Sequence, residues 1–92
     1  MRFRIEFDDR ARRDFARLDG SIRRRIMEKL DWYELHPEGL SPAPLHGEWR
    51  DFDKLRVGDW RLLYTCDVTR NILTIHYVDH RGRAYKRRHG KR

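Results

Sequence analysis

Apolar and polar residues alternate from Arg2 to Phe7: Phe3, Ile5 and Phe7 point one way, Arg2, Arg4 and Glu6 the other. A period of two predicts a strand with one buried face. The period then lengthens. Ala11, Phe15 and Leu18 fall at helical spacing behind Asp8 and Asp9, either of which can cap a helix by accepting from free backbone N–H groups. Asp19-Gly20 stops this short helix, and Ser21 is placed to cap the next. Ile22, Ile26, Leu30 and Tyr33 then step by four, four and three, which makes one apolar stripe. Arg23, Arg24, Arg25, Glu28 and Lys29 fill the other faces. Pro37 disfavours helical backbone just before it, so the helix should end near Leu35 or His36. Two helices joined this tightly form an antiparallel hairpin.

Prolines at 37, 42 and 44, with Gly39, predict a loop too short to link domains. Strand-like runs follow at Phe52 to Val57, Trp60 to Asp67 and Asn71 to Asp79. Val57-Gly58-Asp59-Trp60 carries turn chemistry, because Gly and Asp tolerate left-handed backbone angles. Asp67 to Asn71 is the second turn. The last two strands are apolar on both sides in places (Leu62 and Leu63; Ile72, Leu73 and Ile75), so they should be central and covered on one face by the helix pair. The order β-α-α-β-β-β predicts an α+β fold, a helical hairpin on a mostly antiparallel four-stranded sheet. With 92 residues the chain reads as one domain, residues 1–92, with room for a single core. A basic tail occupies about 86–92.

Charge narrows the function. There are 22 Lys+Arg against 15 Asp+Glu, a net charge of +7, which favours a polyanionic partner. Arginine far outnumbers lysine, and its planar fork suits phosphate. Cys66 is the only cysteine, so no internal disulfide can form. It stands in an alternating apolar run and is expected to pack as a small hydrophobe. No apolar run reaches the ~18–20 residues that span a bilayer, and the N-terminus lacks a signal-peptide pattern. A reduced, cytoplasmic protein is the simplest expectation. Neither His76, mid-strand, nor His46, in the loop, has a ligand partner at metal-binding spacing, so no metal site and no cofactor are expected. Phosphate-binding glycine loops and nucleophile-elbow motifs are missing from the sequence as well. Trp32, Trp49 and Trp60 read as core residues, with Trp49, beside Gly47, the one most apt to face a ligand.

Two groups of residues carry candidate chemistry. A hairpin turning at Gly58-Asp59 pairs Val57 with Trp60, so Arg56 opposes Arg61, and Lys54 lies one alternation further along. The three cations then share one face and repel, by a few tenths of a kcal/mol or more per opposed pair; a bound anion would relieve this. The alternative is a solvated sheet face with acids such as Asp53 or Asp59 close by. In the second group, His80 can exchange a proton near neutrality, Arg81 and Arg83 can neutralise phosphate charge, and Tyr85 can stack a base. Here the alternative is a basic tail with a structural tyrosine.

Taken together, the opening strand, ARRDFARLDGSIRRRIMEKLD on the hairpin, PLHG before the second strand, LRVGDWRLLY across the turn and HRGRAY after the last strand resemble the RelE/ParE superfamily of bacterial toxins. The resemblance covers nearly the whole chain. It implies the toxin of a type II toxin–antitoxin system, a metal-independent endoribonuclease that cleaves messenger RNA, often on the ribosome. Attack by the ribose 2′-hydroxyl on the adjacent phosphate gives a cyclic phosphate and a free 5′-hydroxyl. By position, Lys54 matches a base or charge stabiliser, Arg61 the arginine that stabilises the transition state, Arg81 an acid or phosphate clamp, and Tyr85 the stacking tyrosine. His80 is placed to supply proton transfer, since a second lysine of the best-known RelE pattern falls at Phe52. Arg56, Arg83, Lys86, Arg87 and Arg88 would hold RNA phosphates. The resemblance also implies a cognate antitoxin in a hetero-oligomer and, as a second activity class, the gyrase-inhibiting ParE branch. A non-catalytic basic module that binds antitoxin or nucleic acid is a third reading.

Overall fold

The computed structural model describes residues 3–40 and 50–81. Strand β1 (Arg4–Phe7) is followed by helices α1 (Asp9–Ala16) and α2 (Gly20–Leu35) and strands β2 (Asp53–Val57), β3 (Trp60–Asp67) and β4 (Ile72–His80). The strands form one sheet in the order β1-β4-β3-β2. β2 and β4 both run antiparallel to β3, whereas β1 pairs in parallel with β4. Short turns join the antiparallel strands, but a parallel pair needs a long crossover; the helical hairpin, β2 and β3 lie between β1 and β4 in sequence. The fold is the expected α+β arrangement, with β3 and β4 central.

Asp8 caps α1, its Oδ1 accepting from the Ala11 N–H at 2.9 Å. The next cap corrects the expectation: Asp19, rather than Ser21, precedes α2, which begins at Gly20. The Asp19 side chain makes no capping bond; its carbonyl accepts from Arg23 N at 2.9 Å. The Arg23 guanidinium donates to the Leu18 carbonyl and so ties the two helices at their junction. α2 ends at Leu35, and Pro37–Gly39 adds a turn of 3-10 helix.

Ile26 and Leu30 of α2 and Ala11 of α1 pack onto Leu55, Val57, Leu62, Tyr64, Leu73, Ile75 and Val78 of the sheet. Each such apolar side chain gains roughly 1.5–3 kcal/mol from leaving water. Two expected core residues lie elsewhere. Trp32 is 46% exposed on the flank of α2, where the His36 ring stacks on it at 4.4 Å and the Lys29 ammonium lies 5.7 Å from its ring. Cys66 is exposed, because the last residues of β3 extend past the packed centre of the sheet. Trp60 is half-buried against the core, and Trp49 lies outside the described residues.

Gly58 is the left-handed residue of the β2–β3 turn, with φ 59°. Asn71 takes φ 57° in the β3–β4 turn, where the Asp67 carboxylate accepts from Arg70 N at 3.1 Å. Between β3 and β4 the register slips by one: Leu63 pairs with Tyr77, but Tyr64 pairs with Ile75. His76 is the extra residue, a β-bulge. It falls just past the end of the β1 pairing, which stops at Ile75.

Candidate functional site

The sheet has one face under the helices and one open face. On the open face the registers set side chains in rows. Nearest the Gly58-Asp59 turn, Arg56 opposes Arg61 and Arg61 opposes Asp79. In the next row Lys54 opposes Leu63, which opposes Tyr77. The third holds Phe52, Thr65 and His76, joined by a Thr65–His76 hydrogen bond and the Phe52–His76 ring contact. Lys54, Arg56 and Arg61 therefore share a face, as the turn residues predict.

The bulge brings Arg81 to them. A one-residue slip moves every later side chain to the other face. Ile75 and Val78 both join the helix-side core, while Tyr77 joins Leu63 and Phe52 on the open side. Asp79 and Arg81 then fall on the open side, and His80 on the helix side. The Arg81 N–H donates to the Asp59 carbonyl at 2.7 Å, and its Nε lies 3.9 Å from Asp59 Oδ1. The Arg61 guanidinium donates to the carbonyls of Gly58 at 3.0 Å and Trp60 at 3.1 Å. Both arginines thus touch one two-residue turn. The Arg81–Asp59 pair is exposed and long, so it holds Arg81 weakly, and the guanidinium remains available to an anion.

His80 is not brought to this group. It pairs with Trp60, whose indole its ring meets edge-on at 5.4 Å. Beside it lie Asp14, Arg17 and Leu18 at the end of α1, around a shallow cavity of about 180 Å³. Asp53, a candidate neighbour for the cations, pairs with Tyr64, a helix-side residue. Arg83, Tyr85, Lys86, Arg87 and Arg88 lie outside the described residues.

Several neighbours escaped the sequence reading. Arg25 of α2 approaches the turn from the helix side: a Cβ on Gly58 would lie 2.6 Å from its guanidinium. Between them runs a groove of about 430 Å³, lined by Arg25, Glu28, Lys29, Trp32, Arg56, Val57 and Gly58. On the open face, Phe52, Leu63 and Tyr77 form a second apolar cluster. Arg10 of α1 reaches over it, donating to the Tyr77 hydroxyl at 2.6 Å with its guanidinium 5.0 Å from the ring centre. His76 is held by Asp8 and Thr65. The signal for this corner was the broken alternation at Tyr77-Val78, two adjacent apolar residues on an otherwise alternating strand, which marks a bulge.

A cation-rimmed open sheet face above a helical hairpin is the architecture of known toxins. The chain is 29% identical to a chain of the toxin–antitoxin complex RelBE2 of Mycobacterium tuberculosis, with a TM-score of 0.77 over 88% of this chain and 93% of that one. It shares its fold with the RelE–RelB complex of the archaeon Pyrococcus horikoshii (24% identity, TM-score 0.69, 91% and 100% of the two chains). The isolated RelE toxin of E. coli has the same fold (22% identity, TM-score 0.70, 94% and 90%). No curated protein sequence matches the chain. The family model of the ParE toxin of the type II toxin–antitoxin system parDE matches residues 5–85. The chain belongs to this family, within the RelE/ParE toxin superfamily, and is a type II toxin.

Proposed function

We propose that this toxin is a metal-independent endoribonuclease that cleaves messenger RNA, on the ribosome, in the cytoplasm. One observation carries the reading: Arg61 and Arg81 contact the same Gly58-Asp59 turn, with Arg56 and Lys54 on the same face. The ribose 2′-hydroxyl attacks the adjacent phosphate, and the guanidiniums of Arg61 and Arg81 take up the charge on the non-bridging oxygens. Lys54, one pleat repeat inward at about 7 Å, sits where it can protonate the leaving 5′-oxygen. Tyr85 stacks a neighbouring base. Arg56, Arg83, Lys86, Arg87 and Arg88 bind flanking phosphates. His80, against Trp60 on the other face, has no part in the step.

The RelBE2 and Pyrococcus chains were each crystallised in toxin–antitoxin complexes. A cognate antitoxin is accordingly the protein partner proposed here, with an acidic segment that folds on the basic surface.

Two observations favour a second reading, gyrase inhibition. The matching family is ParE, and Phe52, at the place of a RelE lysine, is only 6% exposed. Mapping messenger RNA ends after brief induction separates the two. The nuclease gives new 5′-hydroxyl ends within reading frames, lost in Arg61→Ala and Arg81→Ala. Intact messages with filamentation and DNA damage signalling would instead establish gyrase inhibition, and a harmless protein would leave only a binding module.

A further inference from the structure

The open face holds one constellation that the family resemblance does not assign. Asp8 ends the β1–α1 junction with both carboxylate oxygens engaged. Oδ1 accepts from the Ala11 N–H at 2.9 Å, and Oδ2 lies 2.9 Å from His76 Nδ1. This double attachment fixes the plane of the carboxylate. A carboxylate only accepts, so Nδ1 carries the proton and Nε2 presents a lone pair. Nε2 lies 2.8 Å from Thr65 Oγ1, so the hydroxyl donates to it. Carboxylate, imidazole and secondary alcohol thus stand in the order of a general-base relay.

The place is built rather than incidental. The β-bulge puts both His76 and Tyr77 on the open face. Phe52 meets the His76 ring edge-on at 5.3 Å and so fixes its tilt. The imidazole still has 27% of its surface in solvent. Other titratable or charged groups face this corner from each packed element: Glu6 on β1, Arg10 on α1, Lys54 on β2 and Tyr77 on β4 itself. From β3 come Thr65 and Leu63, which are uncharged.

We infer that His76, oriented by Asp8, is the general base of the proposed RNA cleavage, and that Thr65 Oγ1 occupies the position the ribose 2′-hydroxyl takes in the complex. The inference rests on the nuclease reading. Both hydroxyls are secondary alcohols, so rotation of Thr65 about χ1 exchanges one donor to Nε2 for another. The 2′-oxygen passes its proton to Nε2 as the O2′–P bond forms and the P–O5′ bond breaks. The Lys54 ammonium gives its proton to the departing 5′-oxygen. Exchange with water then returns His76 to neutral and Lys54 to its cationic form. Asp8 acts through His76 and is a positioning residue.

The test is single-turnover cleavage of a short messenger RNA, free and on programmed ribosomes, by the full-length toxin over pH 5–9. Affinity for a non-cleavable 2′-deoxy analogue is measured in parallel. General-base catalysis contributes about 10²–10⁴-fold. His76→Gln should therefore lose at least about 100-fold in rate, with the acid limb of the pH profile abolished and analogue affinity unchanged. Should His76→Gln fail to fold, Asp8→Asn decides, because asparagine still caps α1. It is expected to lower the rate about tenfold and to shift the acid limb, which a purely structural role would not do. Wild-type cleavage with an unaltered rate and pH profile in the folded variants overturns this inference and leaves the nuclease reading standing. A wild-type protein that cuts neither RNA overturns both.

Discussion

The two faces of the sheet are built to opposite rules. Under the helices, Ile26, Leu30, Leu62, Leu73 and Ile75 are almost wholly buried, and the face is uniformly apolar toward the hairpin. On the open face a small apolar patch of Phe52, Leu63 and Tyr77 lies among Lys54, Arg56, Arg61 and His76. The first face supplies folding energy. The second keeps like charges together at an energetic cost, as a site that awaits an anion does. A crossed pair of substitutions breaks the two apart. Leu62→Ala should destabilise the fold by about 2–5 kcal/mol, read by urea unfolding. Arg61→Ala should change stability by no more than about 0.5 kcal/mol yet lower RNA cleavage about 10²–10³-fold. Equal loss of stability in both variants would show that the faces are not separable.

Most of the helix-covered face was legible from the sequence, because burial imposes periodicity: 3.6 in Ile22-Ile26-Leu30-Tyr33 and two in Phe3-Ile5-Phe7. The β2–β3 register was legible too, since a two-residue turn at Gly58-Asp59 leaves one pairing. What escaped was parity beyond His76. Continuing the alternation from Ile75 without the bulge would have turned His80 to the open face and Arg81 inward. The single extra residue reverses both, so the arginine joins Arg61 and the histidine joins Trp60. Local pattern also could not place Cys66 and Trp32, whose exposure depends on where the other layer ends.

Phe52→Lys is the next strongest probe, because it turns the open face's apolar patch toward the lysine pattern of RelE. The Phe52 ring meets His76 at 5.3 Å and Tyr77 at 5.7 Å. A lysine there keeps part of the packing through its stem and lifts its ammonium to solvent. We expect a loss of about 2–3 kcal/mol, less than the ~3–5 of a truncation to alanine. If cleavage rises despite the lower stability, the patch limits the activity. If both fall, Phe52 serves to hold His76.

A smaller effect separates the faces by pH. Tyr64, on the helix side, has its phenol pushed up from 10.0 to about 12, by burial first and then by Asp53 and the other acidic groups near it. The unfolded chain loses this proton near the ordinary value and the folded chain later. Between pH 10 and 12 the unfolded state therefore binds fewer protons, and stability falls as pH rises. The contribution is fully present below pH 10. At about 1.4 kcal/mol per pH unit, its loss is on the order of 2 kcal/mol by pH 12. Urea midpoints for Tyr64→Phe should fall less steeply over that window than those of the wild type; parallel curves would assign the alkaline loss to other groups.

The smallest change acts where the two faces meet. Gly58 is left-handed, and a Cβ there would lie 2.6 Å from the Arg25 guanidinium, the far end of a flexible side chain. The contact can yield, so the main expected cost of Gly58→Ala is backbone strain of about 1–2 kcal/mol. Gly58→Asn separates the two causes, because asparagine tolerates positive φ but still displaces Arg25. Asparagine should therefore recover most of the stability that alanine loses. The turn carbonyls that hold Arg61 and Arg81 belong to Gly58 and Asp59, so the alanine variant should also bind RNA more weakly. An alanine variant as stable as wild type would show that the turn relaxes freely and that its geometry does not set the positions of the two arginines.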